Sequence, residues 1–206
     1  MKKRNSGFTL VELSIAIVII GIILAMVSTL GPSLIEGGHS KALLKQVLDI
    51  RVASQQFVER YKMLPGDLPA QNTDFAAGTS AACLVGGAGA GNGDGLISQA
   101  ESACVGEHLF RAGLISSPQL PADNGVFVVI SNTGAQALYA AVVGSAPTLF
   151  LPARVRNVIV IRDVSCALAL AVDQGLDDGD LAAGNNVINM SPACTGTTRI
   201  WLAIAL

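Results

Sequence analysis

The feature that most constrains this chain is an apolar run of 23 residues, 8–30, that holds a single charged side chain, Glu12. A helix of this length spans about 34 Å, which is enough to cross the hydrocarbon core of a bilayer. Lys2, Lys3 and Arg4 precede the run, and basic residues of this kind stay on the cytoplasmic side. The sequence therefore predicts one membrane-spanning helix, with the rest of the chain on the outer side.

Glu12 is the exception inside the apolar run. A carboxylate in the hydrocarbon region is costly unless it is paired or protonated. No Lys, Arg or His lies within reach along the same helix. We therefore expect Glu12 to stay protonated or to find a positive charge on a neighbouring chain, a requirement that an ordinary signal-anchor helix would leave unexplained.

The residues around Glu12 resemble the cleavage and methylation site of type IV prepilins and type II secretion pseudopilins. A basic leader ends in Gly7 and is followed by Phe8-Thr9-Leu10-Val11-Glu12. The resemblance implies that a prepilin peptidase removes the leader, residues 1–7, on the cytoplasmic side and then N-methylates Phe8. It also implies that Glu12 pairs with the N-terminal amine of an adjacent subunit.

The same resemblance and the residue pattern divide the rest of the chain. We expect residues 8–30 to form the transmembrane and filament-core helix. Residues 31–62 should continue it as an amphipathic helix, because apolar residues recur there at spacings of three and four. The stretch 21–32 contains helix-weakening glycines and Pro32, so it either melts in the filament, as in similar pilins, or carries a plain kink. Residues 63–206 should form a globular pilin-like head.

Short β-branched and apolar runs between turn signals predict strands in the head, and two Ala-containing runs predict helices. The strand candidates are residues 126–131, 137–143, 157–162 and 199–206. The helix candidates are residues 101–112 and 165–174. The expected fold class is α+β, with a long N-terminal helix as a pilin-like spine packed on a small antiparallel β-sheet in a loop-rich, disulfide-bonded head.

All four cysteines lie in the predicted head, and their spacing matches no zinc ligand pattern. An even number in an exported domain favours two disulfides. Three connectivities are possible. We favour Cys83–Cys104 and Cys166–Cys194 because each closes a short local loop, and four buried, reduced thiols are the alternative.

Two acidic turns in the head are candidate cation sites. The candidate ligands are Asn92, Asp94 and Glu101 in the first turn, and Asp177 and Asp178 in the second. The first three match positions of an EF-hand Ca²⁺ loop, but Ala90 stands where the first Asp of that loop belongs. The alternatives are an Asx-type turn in the first case and a solvated turn in the second. Ca²⁺ is the one cofactor that the sequence suggests.

Charge and motif content argue against two other functional classes. The net charge is −2 and the arginines past Lys62 are scattered, so no nucleic-acid partner is indicated. His39 and His108 are the only histidines, and neither lies in a Ser/His/Asp, Cys/His or HExxH arrangement. We nominate no catalytic residue and expect the protein not to be an enzyme.

The resemblance implies a structural role instead. We expect a subunit of a type IV pilus or pilus-like filament, whose partners are itself and other pilins, the prepilin peptidase and the inner-membrane assembly platform. It would begin as a single-pass protein of the bacterial inner membrane with its head outside. It would end in a pilus or pseudopilus, at the cell surface or in the periplasm. The alternatives are a type II secretion pseudopilin and a minor filament subunit that acts as a binding or adhesion module.

Overall fold

The computed structural model describes residues 9–69, 83, 90–121, 125–191, 194–195 and 198–206. The chain divides into two compact units, Met1–His39 and Ser40–Leu206. The long helix α1, Leu10–Tyr61, contributes residues to both units. The helix continues without interruption through residues 21–32, the stretch for which the sequence predicts either a melted segment or a kink.

The first part of α1, Leu10–Ser28, is apolar and uncovered. The stretch Leu10–Ser28 has a mean hydropathy of 2.9, and none of it is buried against other parts of the chain. By length and composition it is able to cross a membrane, and the apolar N-terminal helix predicted from the sequence is confirmed.

In the second unit the remaining part of α1 is amphipathic, as the spacing predicted. Leu43, Val47, Ile50 and Phe57 are fully or almost fully buried and lie three, four or seven residues apart, which places them on one face. The helix ends after Tyr61, because Lys62 adopts a left-handed backbone conformation (φ 61°) and a proline-containing turn follows.

The head contains one antiparallel sheet of four strands in the order β1-β2-β4-β3. The strands are β1 Val126–Ser131, β2 Asn157–Ser165, β3 Val187–Asn189 and β4 Arg199–Ala205. Strand β2 lies in the centre, where Ile159 pairs with Val129 of β1 on one side and with Ile204 of β4 on the other. The predicted α+β class with a small antiparallel sheet is therefore confirmed.

Three shorter helices complete the head. A 3-10 turn, Glu101–Cys104, leads into α2, Val105–Arg111, and α3 and α4 are Asn132–Val143 and Cys166–Leu176. Helices α3 and α4 each start directly after a strand on a serine N-cap: the Ser131 hydroxyl accepts from the Gly134 amide, and Ser165 accepts from Leu168. The first two strands are thus followed by helices with the same local signal.

The predicted strand at residues 137–143 is wrong, because these residues form the second half of α3. Ala135 and Tyr139, four residues apart, bury one helical face, and Gly144 ends the helix in a left-handed conformation (φ 81°). A short apolar run does not distinguish a strand from a helix by periodicity alone, and the N-cap at Ser131 was the missed signal. Strand β3 was also missed, since three residues are too few to show a pattern.

The sheet is buried on both faces, which explains why its strands read as continuous apolar runs. One face packs Val129, Ile159 and Leu202 against the buried stripe of α1, α2 and α4. The other packs alternate residues, among them Val160 and Trp201, against α3. The Tyr139 and Trp201 rings meet edge to face with centroids 5.3 Å apart.

Candidate functional site

The first turn of α1 carries the carboxylate that the sequence singled out. The Thr9 amide and the Thr9 hydroxyl both donate to Oε2 of Glu12 at 2.9 Å, and the Glu12 amide donates back to Thr9 Oγ1 at 3.2 Å. This reciprocal arrangement is a capping box, in which the first and fourth residues satisfy each other's backbone donors. A carboxylate in the first turn also suits the positive end of the helix dipole.

The capping box gives Glu12 a partner within its own chain, which the sequence analysis missed. The signal was present as Thr-x-x-Glu at the start of an apolar run. Both contacts from Thr9 use Oε2, so Thr9 does not occupy Oε1 of the exposed Glu12 side chain. The predicted cleavage and methylation residues, Gly7 and Phe8, lie outside the described residues.

The surface that follows Glu12 is apolar on every side. Large apolar side chains from Leu10 to Val27 are all at least half exposed, and consecutive residues such as Ile19 and Ile20 point in different directions around the helix. A helix of a soluble domain buries one stripe and exposes a polar one, whereas a helix that is apolar all round is a membrane or helix-bundle element.

The turn containing Asn92 and Asp94 is closed by its own side chains. The Asp94 amide donates to Asn92 Oδ1 at 2.9 Å, the Leu96 amide donates to Asp94 Oδ1 at 2.7 Å, and the Asn92 side-chain amide donates to Asp94 Oδ2 at 3.0 Å. These are the contacts of Asx turns, which was the alternative to a Ca²⁺ loop. Glu101 is buried, and its carboxylate accepts from the Ser98 amide at 2.6 Å in the turn that precedes the 3-10 helix.

The residue that organises this turn is Asp67, which the sequence analysis did not single out. Its Oδ1 accepts from the amides of Asn92 and Gly93, at 3.2 and 2.6 Å, and its Oδ2 accepts from Gly95 at 2.7 Å. Asp67 is 1% exposed. The buried aspartate of the Pro-Gly-Asp-Leu-Pro run thus holds a glycine-rich turn that lies more than 20 residues away along the chain.

The second acidic turn brings Asp177 and Asp178 together with a third carboxylate, Asp173 of α4, which the sequence analysis missed. One carboxylate oxygen from each of the three residues lies within 4.8 Å of the others. Asp177 Oδ2 also accepts from the amides of Asn186 and Val187, at 2.7 and 3.1 Å. This acidic cluster has the donor chemistry of a hard-cation site, and it is the group in the described part of the chain that could hold a metal.

Two disulfides connect elements of the head. Cys83 is bonded to Cys104 at the end of the 3-10 turn, and Cys166 at the start of α4 is bonded to Cys194. These are the two pairings that we favoured because each closes a short loop. Disulfides of this kind are typical of proteins outside the reducing cytoplasm.

Over the described residues these features define a class of protein: a chain with an apolar helix long enough to span a membrane, a carboxylate capped in the first turn of that helix and a disulfide-bonded α+β head. The sequence profile of the prokaryotic N-terminal methylation motif matches residues 2–28. This is the prepilin-type motif, and it supports assignment of the chain to the type IV pilin and pseudopilin family. No curated protein and no solved structure matches the chain.

The motif also indicates the general function of the chain. It supports a type IV pilin-like or pseudopilin precursor, and it suggests processing by a peptidase and assembly with other pilins. Its family is structural rather than enzymatic. The apolar helix together with the motif fits anchoring in the inner membrane before assembly.

Proposed function

We propose that this protein is a structural subunit of a type IV pilus or pilus-like filament. It is made as a prepilin, cleaved after Gly7, N-methylated on Phe8 and assembled through the first part of α1. The observation that carries the proposal is the position of Glu12, a carboxylate at the start of a helix that is otherwise apolar and uncovered over Leu10–Ser28.

The uncovered helix needs an apolar environment on all sides. Lipid provides it before assembly, because the stretch Leu10–Ser28 is long enough to span the bilayer core. Neighbouring helices of the same kind provide it in a filament, where their apolar side chains cover one another. The same surface therefore serves membrane residence first and subunit packing afterwards.

Glu12 is suited to align one subunit with the next. Before assembly, the bonds from Thr9 to Oε2 satisfy part of the carboxylate within its own chain, which lowers the cost of holding it at the membrane. Cleavage after Gly7 creates a new α-amine on Phe8. We propose that Oε1 of Glu12 accepts this amine from an adjacent subunit, while Oε2 keeps its contacts with Thr9.

Two isosteric substitutions separate charge pairing from helix capping. Glu12→Gln keeps a side-chain oxygen for the capping box but removes the negative charge. Thr9→Val keeps the charge but removes the hydroxyl that takes part in two of the three capping contacts. We expect Glu12→Gln to reduce filament yield at least about tenfold, and Thr9→Val to leave it within about twofold of the parent, because a charged pair needs the carboxylate itself.

The measurement is the amount of this protein in sheared, purified filaments relative to the amount in the inner membrane. Ser14→Ala is the matched control, since Ser14 is a polar residue of the same apolar segment whose hydroxyl donates to the nearby Val11 carbonyl at 2.8 Å. Normal yield from Glu12→Gln together with poor yield from Thr9→Val would assign Glu12 to helix capping and overturn the pairing role.

Processing is tested separately at Gly7. We expect Gly7→Asp to accumulate as the full-length precursor in the inner membrane, because a protease approaches a peptide bond most easily where no side chain intervenes. The parent should yield a mature chain that begins at Phe8 and carries one added methyl group, measured by mass spectrometry of its N-terminal peptide. Efficient cleavage of Gly7→Asp would contradict the proposed site.

The copy number in filaments distinguishes the related alternatives. A type IV pilus or pilus-like building block is present in many copies along the filament. A minor subunit that acts as a binding or adhesion module is present in a few copies, and a type II secretion pseudopilin depends on secretion components for assembly.

A further inference from the structure

The C-terminal end of α4 brings three carboxylates to one point. Asp173 lies in the last turns of the helix, and Asp177 and Asp178 follow where the helix ends. One oxygen from each lies within 4.8 Å of the others, although the three differ in exposure: Asp173 is fully buried, Asp177 is half-buried and Asp178 is exposed. The cluster therefore has a closed inner side and an outer side open to water.

Asp173 is the unusual member of the cluster. Its exposed fraction is 0%, and neither of its carboxylate oxygens has a hydrogen-bond partner among the residues that the structure describes. A buried carboxylate without a donor is strongly unfavourable, and removing one from water is normally compensated by a counter-charge or a metal.

The surroundings of Asp173 add to this cost. The charged side chains that act on its carboxylate, those of Asp177, Asp178 and Asp180, are all negative and repel it. The carboxylate also lies at the negative end of the α4 dipole, which disfavours an anion and favours a cation.

We propose that Asp173, Asp177 and Asp178 bind a divalent cation, Ca²⁺. The ligands are oxygens only, which suits a hard cation and excludes the nitrogen and sulfur sets that zinc prefers. Ca²⁺ accepts six to eight oxygen ligands in irregular geometry, so water on the open side next to Asp178 completes its coordination. Mg²⁺ demands a near-ideal octahedron and gives up its water reluctantly.

The bound ion ties two parts of the head together. Asp177 already holds the start of β3 through the amides of Asn186 and Val187. An ion shared by Asp177 and Asp173 connects the end of α4 to this strand and closes the turn between them. Ca²⁺ thereby stabilises the edge of the sheet formed by β3, and the proposal does not depend on the filament role of Glu12.

The test uses the mature full-length protein in detergent micelles, freed of metal with a chelator. We expect titration calorimetry with CaCl₂ to give a dissociation constant of about 10⁻⁴–10⁻³ M, the range of extracellular Ca²⁺ modules. At about 5 mM Ca²⁺ and a dissociation constant of about 10⁻⁴ M, the folding equilibrium shifts about 50-fold toward the native state. Unfolding is followed by the fluorescence of Trp201, the one tryptophan in the chain, which lies in the head core.

Three variants assign the effect to this cluster. Asp173→Asn should abolish the Ca²⁺ response and make the metal-free protein more stable at neutral pH, because it removes the buried charge. Asp178→Asn changes an exposed side chain whose Oδ1 accepts from the Asp180 amide, a contact that asparagine retains, and it should weaken Ca²⁺ binding about tenfold. Asp94→Asn, in the other acidic turn, is the control and should keep the full response.

The proposal is overturned by any of three results. The first is that the parent binds no Ca²⁺ up to about 10 mM. The second is that Asp173→Asn and Asp178→Asn respond to Ca²⁺ as the parent does. The third is that Asp94→Asn alone loses the response. A response to Mg²⁺ as large as that to Ca²⁺ would overturn the choice of ion. Failure of filament assembly has no bearing on these measurements.

Discussion

The backbone amide of Gly66 donates a hydrogen bond of 2.8 Å to Nδ1 of His108, 42 residues away along the chain. His108 is 2% exposed, and its ring stacks on Phe57 of α1 with centroids 6.1 Å apart. A ring nitrogen that accepts a hydrogen bond carries no proton, so His108 is neutral in the folded protein. The bond connects the turn that ends α1 to the helix α2.

The first prediction concerns the pH dependence that follows from this bond. Burial lowers the pKa of His108, with the nearby Glu107 charge opposing, so the unfolded chain takes up a proton at a higher pH than the folded chain. The contribution of His108 to the free energy of unfolding is complete above the unfolded pKa of about 6.5 and is lost as the pH falls through the folded value.

The substitution His108→Gln isolates this effect, because glutamine offers an oxygen to the Gly66 amide but does not titrate. We expect the parent to exceed the variant by about 1–3 kcal/mol at about pH 7.5, and the difference to shrink as the pH falls to about 5. Burial raises the pKa of Asp173 to about 6, so its contribution to the free energy of unfolding changes with pH in the opposite direction to that of His108. Asp173 is present in both proteins, and its contribution therefore cancels in the difference between them. Denaturant unfolding followed by Trp201 fluorescence measures the difference, and a pH-independent gap would contradict the prediction.

The second prediction concerns Asp67, which accepts three amide donors from the turn at Asn92, Gly93 and Gly95. Asp67→Ala should lower the free energy of unfolding by about 3–5 kcal/mol, because it leaves several amide donors without an acceptor. Asp67→Asn should cost less, since Oδ1 keeps two of the three bonds.

The control for Asp67 is Asp49→Ala. Asp49 forms an exposed ion pair with Lys45 at 2.6 Å on the surface of α1, and a pair of this kind contributes about 0.5 kcal/mol or less. Equal effects of Asp67→Ala and Asp49→Ala on unfolding would show that the turn does not depend on the buried carboxylate.

The third prediction concerns the disulfides. Replacement of both Cys166 and Cys194 by alanine should destabilise the head by about 2–5 kcal/mol, because the bond closes a loop of 28 residues between α4 and the segment before β4. The paired replacement of Cys83 and Cys104 should cost a similar amount for a loop of 21 residues. Unfolding midpoints with and without reductant measure this, and a parent that is insensitive to reductant would contradict it.

The parts of the fold that sequence predicted well are those with a strong local signal. The apolar helix, the amphipathic continuation and three of the four strands follow from periodicity, since each pattern is long or rich in β-branched residues. The second half of α3 predicts a strand from sequence alone because its apolar residues are small and close together. Patterns of this kind do not reveal which face a tertiary neighbour will cover.

The candidate sites were predictable to different degrees for a physical reason. Glu12 was recognised because a charge in an apolar segment is conspicuous without any structure. Asp173 was missed because it lies in an ordinary helical sequence, and only the fold places it beside Asp177 and Asp178. Asp67 was missed likewise, since its three donors lie more than 20 residues away and no local pattern encodes their approach.

The last prediction concerns Gly91. Its backbone forms an isolated parallel β-bridge with Pro69, where the glycine-rich turn lies against the segment that contains Asp67. A Cβ atom at Gly91 would lie 2.2 Å from the carbonyl carbon of Asp67 and 2.5 Å from the amide nitrogen of Leu68, both backbone atoms. Gly91→Ala should therefore lower the free energy of unfolding by about 3 kcal/mol or more. The added Cβ forces the two backbone segments apart, which weakens the hydrogen bonds that Asp67 accepts from the turn.

Gly38→Ala is the matched control for Gly91→Ala, because a Cβ at Gly38 meets nothing within 4 Å and the residue lies inside α1. Alanine in a helix is more favourable than glycine by about 0.5–1 kcal/mol, so this variant should unfold at an equal or higher denaturant concentration than the parent. Trp201 fluorescence in denaturant reports both variants. If Gly91→Ala unfolds together with Gly38→Ala, the close approach of the Asp67 segment to the glycine-rich turn does not stabilise the head.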